Sequence, residues 1–155
     1  MLKDPAIMRY HKNSFSYILC LLAIVFNICY FAFALEPIME GLPVNIGMTI
    51  ALDVVINIVF MLFTFLGGEK IKTYDIKWNF IVFVMGIAEI LRILIVPNLE
   101  YVLVNSEEVV PFITGIDKTL SIIFLIAAGA CLIVASIIGY QRAVLLHKYL
   151  KEEAQ

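Results

Sequence analysis

Four long apolar stretches run the length of the chain, each interrupted by a few polar residues at helical spacing. Drawn at residues 14–35, 44–66, 78–97 and 117–140, each reaches the ~20 residues of helix that cross a hydrocarbon core ~30 Å thick. Breakers separate them: Pro37, Gly41 and Pro43 after the first, Gly67-Gly68 after the second, Pro97 and Pro111 around the third connection. The pattern predicts an all-α integral membrane protein, a four-transmembrane-helix bundle forming a single membrane domain over 1–155. Asp4-Pro5 is a good cap and first-turn pair for a short leading helix that includes Ile7 and Met8. Residues 141–153 extend the fourth helix past the membrane, mixing Val144, Leu145, Leu146 and Leu150 with Arg142, Lys148 and Lys151, as suits an end lying in the headgroups or against a partner. The partly apolar connection at 98–116 is expected to fold back over the bundle.

Within the spans the polar residues are ordered. At about 100° per residue, Asn45, Thr49, Asp53 and Asn57 form one row on the second helix, and Thr64 rejoins it. The first helix aligns Ser16, Cys20, Ala23, Asn27, Tyr30 and Ala34; the fourth aligns Asp117, Ser121, Ala128, Cys131, Ala135 and Gly139. On the third, Asn79, Gly86 and Glu89 share a side, with Arg92 one turn further. Helices in lipid associate through small residues and interhelical hydrogen bonds. That accounts for Gly86, Ala128, Ala135 and Gly139 as helix-packing positions, and Asn27 needs only one interhelical bond.

Asp53, Glu89 and Arg92 ask for more, because a charge at the bilayer centre costs about 2.5–3.5 kcal/mol even on insertion scales. Counted from the same end of their spans, Asn27, Asp53 and Glu89 lie eight or nine residues deep and Arg92 about five. A single intramembrane polar cluster of Asp53, Glu89, Arg92, Asn27 and Asn57 is expected, with Arg92 bridging the two carboxylates and leaving a formal charge of −1. It reads either as a structural or partner-facing salt bridge or as a site for a proton, cation or substrate. A third placement has Arg92 snorkelling to the interface.

Composition agrees with a membrane solvent: 63% hydrophobic and 15% charged residues, against roughly 45–50% and 25% in soluble domains. The eleven basic residues decide orientation. Lys3, Arg9 and Lys12, then Lys70, Lys72 and Lys77, then Arg142, Lys148 and Lys151 fall on one side; Lys118 is on the other and Arg92 within a span. By the positive-inside rule both termini are cytoplasmic, in the plasma membrane. Aromatic residues suggest interfacial belts, with Tyr10, Tyr17, Tyr74, Trp78 and Tyr140 at one face and Tyr30, Phe31, Phe33 and Tyr101 at the other. Basic residues before a run ending Ala32-Phe33-Ala34 imitate a signal peptide, but the run exceeds a usual ~7–15-residue apolar region and is read as a retained first span.

Chemistry is sparse. The net charge is −2 with scattered lysines and arginines, which argues against nucleic acid as a partner. Cys20, Cys29 and Cys131 lie inside apolar runs without a CxxC pair, and His11 and His147 lie outside the spans. Disulfide framework, zinc site and transmembrane haem are therefore not expected, and no cofactor or metal is. The span hydroxyls Thr49, Thr64, Ser121 and Ser136 have no histidine at their depth, and neither HExxH nor GxSxG occurs. The reading that follows is a non-catalytic accessory or structural subunit of a larger membrane complex, transport complexes included, with the bilayer and other membrane subunits as partners. The alternative is a small self-associating transporter or channel that uses the carboxylates for a proton or cation; an intramembrane enzyme is a remote third.

Overall fold

A computed structural model describes residues 5–8, 11–35, 47–99, 101–104, 108–111 and 115–154. The elements run α1 (Pro5–Met8), α2 (Ser14–Leu35), α3 (Gly47–Lys72), α4 (Ile76–Leu99), β1 (Tyr101–Val104), β2 (Glu108–Pro111) and α5 (Gly115–Glu153). Three of the helices, α2, α3 and α5, are long and apolar enough to cross a membrane. α4 has comparable length but carries Lys77, Glu89 and Arg92 among its described side chains.

The long helices form an antiparallel ring. α5 packs along both α2 and α4, and α3 closes the ring against α2 and, more loosely, α4. The core mixes small side chains with a few larger aliphatic ones. Cys20, Ala23, Ala128, Leu132 and Ala135 are fully buried together with Ile71 and Val82. The outer surface carries the bulk, with Phe80, Leu94, Leu52, Ile18 and Leu62 all more than half exposed. A soluble bundle is built the other way round, with its large apolar residues inside.

The glycine pair Gly67-Gly68, expected to end the second span at 66, lies within α3, which continues to Lys72. The pair serves packing instead. A Cβ on Gly67 would run into a methyl of Val82 on α4, and one on Gly68 would sit 3.0 Å from Cys20 Cβ on α2. Close neighbours on both sides make up for the low helix propensity of glycine. The turn that follows is therefore three residues, not the eleven of 67–77. Tyr74 N–H bonds Ile71 C=O at 3.0 Å and Asp75 N–H bonds Lys70 C=O at 3.2 Å, the paired bonds of a Schellman cap. Asp75 then caps α4, its Oδ1 accepting from Lys77 N–H at 2.9 Å. Tyr74 holds the left-handed position of the cap, φ 62°, where glycine is usual.

Tyr74 tolerates that conformation because its ring is fixed from outside the turn. It is buried with Met8 of α1 and with Ala143 and Leu146 of α5, and its phenol donates to His11 C=O at 3.0 Å. Asn13 completes this end of the bundle. Its N–H bonds Lys72 C=O at 3.0 Å and its Oδ1 accepts from Arg142 at 2.7 Å. Tyr74 is thus a buried clasp rather than a belt residue, whereas Tyr140 stays half exposed. α5 runs unbroken from Gly115 to Glu153, so residues 141–153 continue it. At the opposite end α4 carries on through Pro97 to Leu99. In the connection beyond it, β1 and β2 pair antiparallel from Tyr101↔Pro111 to Val104↔Glu108, regular structure where only a folded-back loop was expected.

Candidate functional site: a buried ionic network

Three helices bring their polar stripes to one point. Arg92 reaches inward from α4 and is 6% exposed, so it does not snorkel. Its Nη2 donates to Asp53 Oδ1 on α3 at 3.0 Å. Its Nη1 lies 3.1 Å from both oxygens of Glu89, one turn earlier on α4, and 3.2 Å from Asn57 Oδ1 on α3. Asn57 sits one helical turn beyond Asp53, so the i, i+4 row of α3 presents both side chains to the same guanidinium. Asn57 Nδ2 in turn donates to Asn27 C=O on α2 at 3.4 Å. The five residues expected to cluster therefore meet.

The structure adds Tyr30, which is 1% exposed and donates its phenol to Asp53 Oδ2 at 2.8 Å. Its sequence position allowed either an interfacial belt or the polar stripe of α2, and the stripe is where it lies. The Arg92 guanidinium carbon is also 5.1 Å from the Tyr30 ring centre and 5.2 Å from that of Phe60. Aromatic rings at these distances favour its charge. No signal in the sequence marked Phe60, since phenylalanine is common on every span.

The network is asymmetric. Asp53 retains slight exposure, its side chain 12% accessible, while the Glu89 side chain is at 0%. The Asn27 side chain is hydrogen-bonded to the Glu89 carboxyl, and its Nδ2 donates to Ala23 C=O at 3.2 Å. Its Oδ1 is buried without a hydrogen-bond partner, as is Arg92 Nε. Among the described residues no set of three histidine, cysteine, aspartate or glutamate side chains converges as metal ligands would.

The packing residues fall where α5 meets its neighbours. Ala128 and Ala135 are fully buried, and Gly139 abuts the Asn79 side chain and Ile71. The two glycines that approach each other's backbone are Gly86 of α4 and Gly129 of α5. A Cβ on Gly86 would sit 3.0 Å from Gly129 C=O, and one on Gly129 would sit 2.8 Å from Gly86 C=O. Gly129, within the small-residue run Ala127–Ala130, meets Gly86 although it was not among the small residues of the fourth-helix stripe. Near Gly139, Ser136 donates its hydroxyl to Asn79 C=O. Asn45 lies outside the described residues, as do the side chains of Thr49 and Asp117.

Comparison of the chain with protein-family models, with curated proteins and with solved structures gives no match.

Proposed function

We propose that the chain is a four-span membrane protein with both termini in the cytoplasm, acting in the plasma membrane as a non-catalytic accessory or structural subunit of a larger complex. α4 is the fourth span. Its charges at Glu89 and Arg92 are buried and paired, which removes most of the cost that keeps charged helices out of lipid. Orientation follows from the end where Lys12, Lys70, Lys72, Lys77 and Arg142 gather around the Asn13 and Tyr74 contacts.

The observation that carries the subunit reading is that the charged groups of the interior are engaged with one another. Both Nη atoms of Arg92 are engaged, and Asp53 is held from two sides. Such a network ties α2, α3 and α4 together. A cavity of about 410 Å³ lies elsewhere, between α4 and α5, lined by Asn79, Phe80, Phe83, Ser136, Ile137 and Tyr140. A further apolar groove between α3 and α4, lined by residues such as Phe63 and Phe80, suits contact with lipid or a neighbouring helix.

The test is the native mass of the tagged chain, extracted gently from its host membrane. Other membrane proteins at fixed stoichiometry are the expected result. A homo-oligomer with nothing else bound would overturn the reading in favour of a small transporter, and cation- or proton-coupled uptake with Asp53 and Glu89 variants would then follow.

A further inference from the structure

Arg92 supplies one positive charge and faces two carboxylates, Asp53 and Glu89. With both ionised, the trio would leave one uncompensated negative charge between apolar helices, which is costly in any low-dielectric interior. A proton on one carboxylate removes that charge, and the hydrogen bonds distinguish the two candidates.

Asp53 has a separate donor for each oxygen, Arg92 Nη2 on Oδ1 at 3.0 Å and the Tyr30 phenol on Oδ2 at 2.8 Å. Both of its oxygens are thus satisfied as acceptors. Glu89 shares its guanidinium donor with another acceptor. Its two oxygens share Arg92 Nη1, and the same nitrogen also serves Asn57 Oδ1, so three acceptors compete for two hydrogens. On its other side Glu89 is hydrogen-bonded by the Asn27 side chain. That residue is 1% exposed, and its Oδ1 is a buried acceptor lacking a donor. Buried acceptors are nearly always satisfied, and a protonated Glu89 carboxyl would supply the missing donor.

We propose that Glu89 is a proton-binding site within the bundle, its carboxyl hydroxyl donating to Asn27 Oδ1 while Asp53 and Arg92 form the ion pair beside it. The charged groups acting on Glu89 are Arg92 on its own helix and Asp53 on α3. α2 presents the neutral Asn27 and Tyr30, and the buried α5 side chains nearest in register, Leu125 and Ala128, are apolar. The trio is then neutral overall, and no bound cation is required. The inference holds whether the chain is a subunit or works alone.

Infrared spectroscopy of the full chain in phosphatidylcholine vesicles at neutral pH tests it through the carbonyl absorption of a protonated carboxyl. The wild-type protein should show one such band, and Glu89→Gln should lose it. Asn27→Leu should shift the band upward because the hydroxyl loses its acceptor, while Tyr30→Phe, which removes the phenol's bond to Asp53 and keeps the ring, should leave its position unchanged. A wild-type spectrum without the band overturns the proposal, as does a band that survives Glu89→Gln. A band that moves with Tyr30→Phe assigns the proton to Asp53 and overturns it equally. Should Asn27→Leu fail to fold, the wild-type, Glu89→Gln and Tyr30→Phe spectra still decide.

Discussion

The Tyr30 phenol donates to Asp53 Oδ2 across 2.8 Å, joining α2 to the carboxylate that Arg92 of α4 holds by its other oxygen. One aspartate therefore connects three helices, and each of its bonds is charge-assisted. Hydrogen bonds between membrane helices contribute about 0.6 kcal/mol on average and up to about 1.7, whereas those to a charged group reach about 1.5–3 in proteins generally. Tyr30→Phe should accordingly destabilise the bundle by about 1–2 kcal/mol with its helix content intact. Reversible unfolding in mixed micelles, followed by circular dichroism, would measure this. An unchanged midpoint would mean that the bond adds nothing.

Removing Arg92 should cost more. Arg92→Met leaves Asp53 and Glu89 facing each other without their cation, a change of about 3–5 kcal/mol for a broken buried pair. Arg92→Lys should fall between the two, because a single ammonium cannot serve Asp53, Glu89 and Asn57 together as the planar guanidinium does. The ordering wild type, lysine, methionine in unfolding midpoint is the result to look for. Equal stability of all three would show that the network does not hold the bundle together.

At the Gly86–Gly129 crossing an added side chain would meet backbone, which cannot move aside without separating α4 from α5. Gly129→Val should destabilise by about 1–3 kcal/mol or more, the range for overpacked interiors. Gly67→Ala meets only a methyl of Val82 and should cost less. The same unfolding assay ranks the two; a milder effect at Gly129 than at Gly67 would contradict the packing described.

Tyr74 gives the clasp a pH dependence. Burial pushes its phenol pKa above the ordinary tyrosine value, with Arg142 acting in the opposite sense. The folded chain then holds this proton more tightly than the unfolded chain does. The contribution is full below the unfolded value, about 10, and is lost as pH rises through the folded one. Thermal midpoints recorded from neutral to strongly alkaline pH should fall more steeply for the wild type than for Tyr74→Phe. Tyr74→Phe itself should start lower by about 1 kcal/mol, having lost the bond to His11 C=O. Parallel curves would remove Tyr74 from the alkaline transition.

How far the sequence could be read depended on what each residue's environment had to supply. Asp53, Glu89 and Arg92 were legible because charges in an apolar run must find partners, and matching depths left them one another. Tyr30 was ambiguous, since an aromatic ring with a polar tip suits an interface and a polar stripe equally. Gly67-Gly68 is spelled the same whether it ends a helix or lets two helices approach. The decision came from Val82 and Cys20, residues of other helices that no local window contains. The turn at Tyr74 was hidden for a related reason, because the left-handed position carries a tyrosine held in place by α1 and α5.

The shortness of that turn governs how the bundle can move. Three residues joining α3 to α4 leave no slack for one helix to slide past the other by a turn, about 5.4 Å. Their relative motion reduces to a tilt about the end held by Tyr74, Asn13 and Arg142. Arg92 lies sixteen residues beyond the start of α4, about 24 Å along the axis from that pivot at about 1.5 Å per residue. The ionic network therefore sits far out on the lever, where a small angular opening produces its largest separation. There Asp53 and Arg92 act as a latch: while they are joined, α3 and α4 swing as one piece.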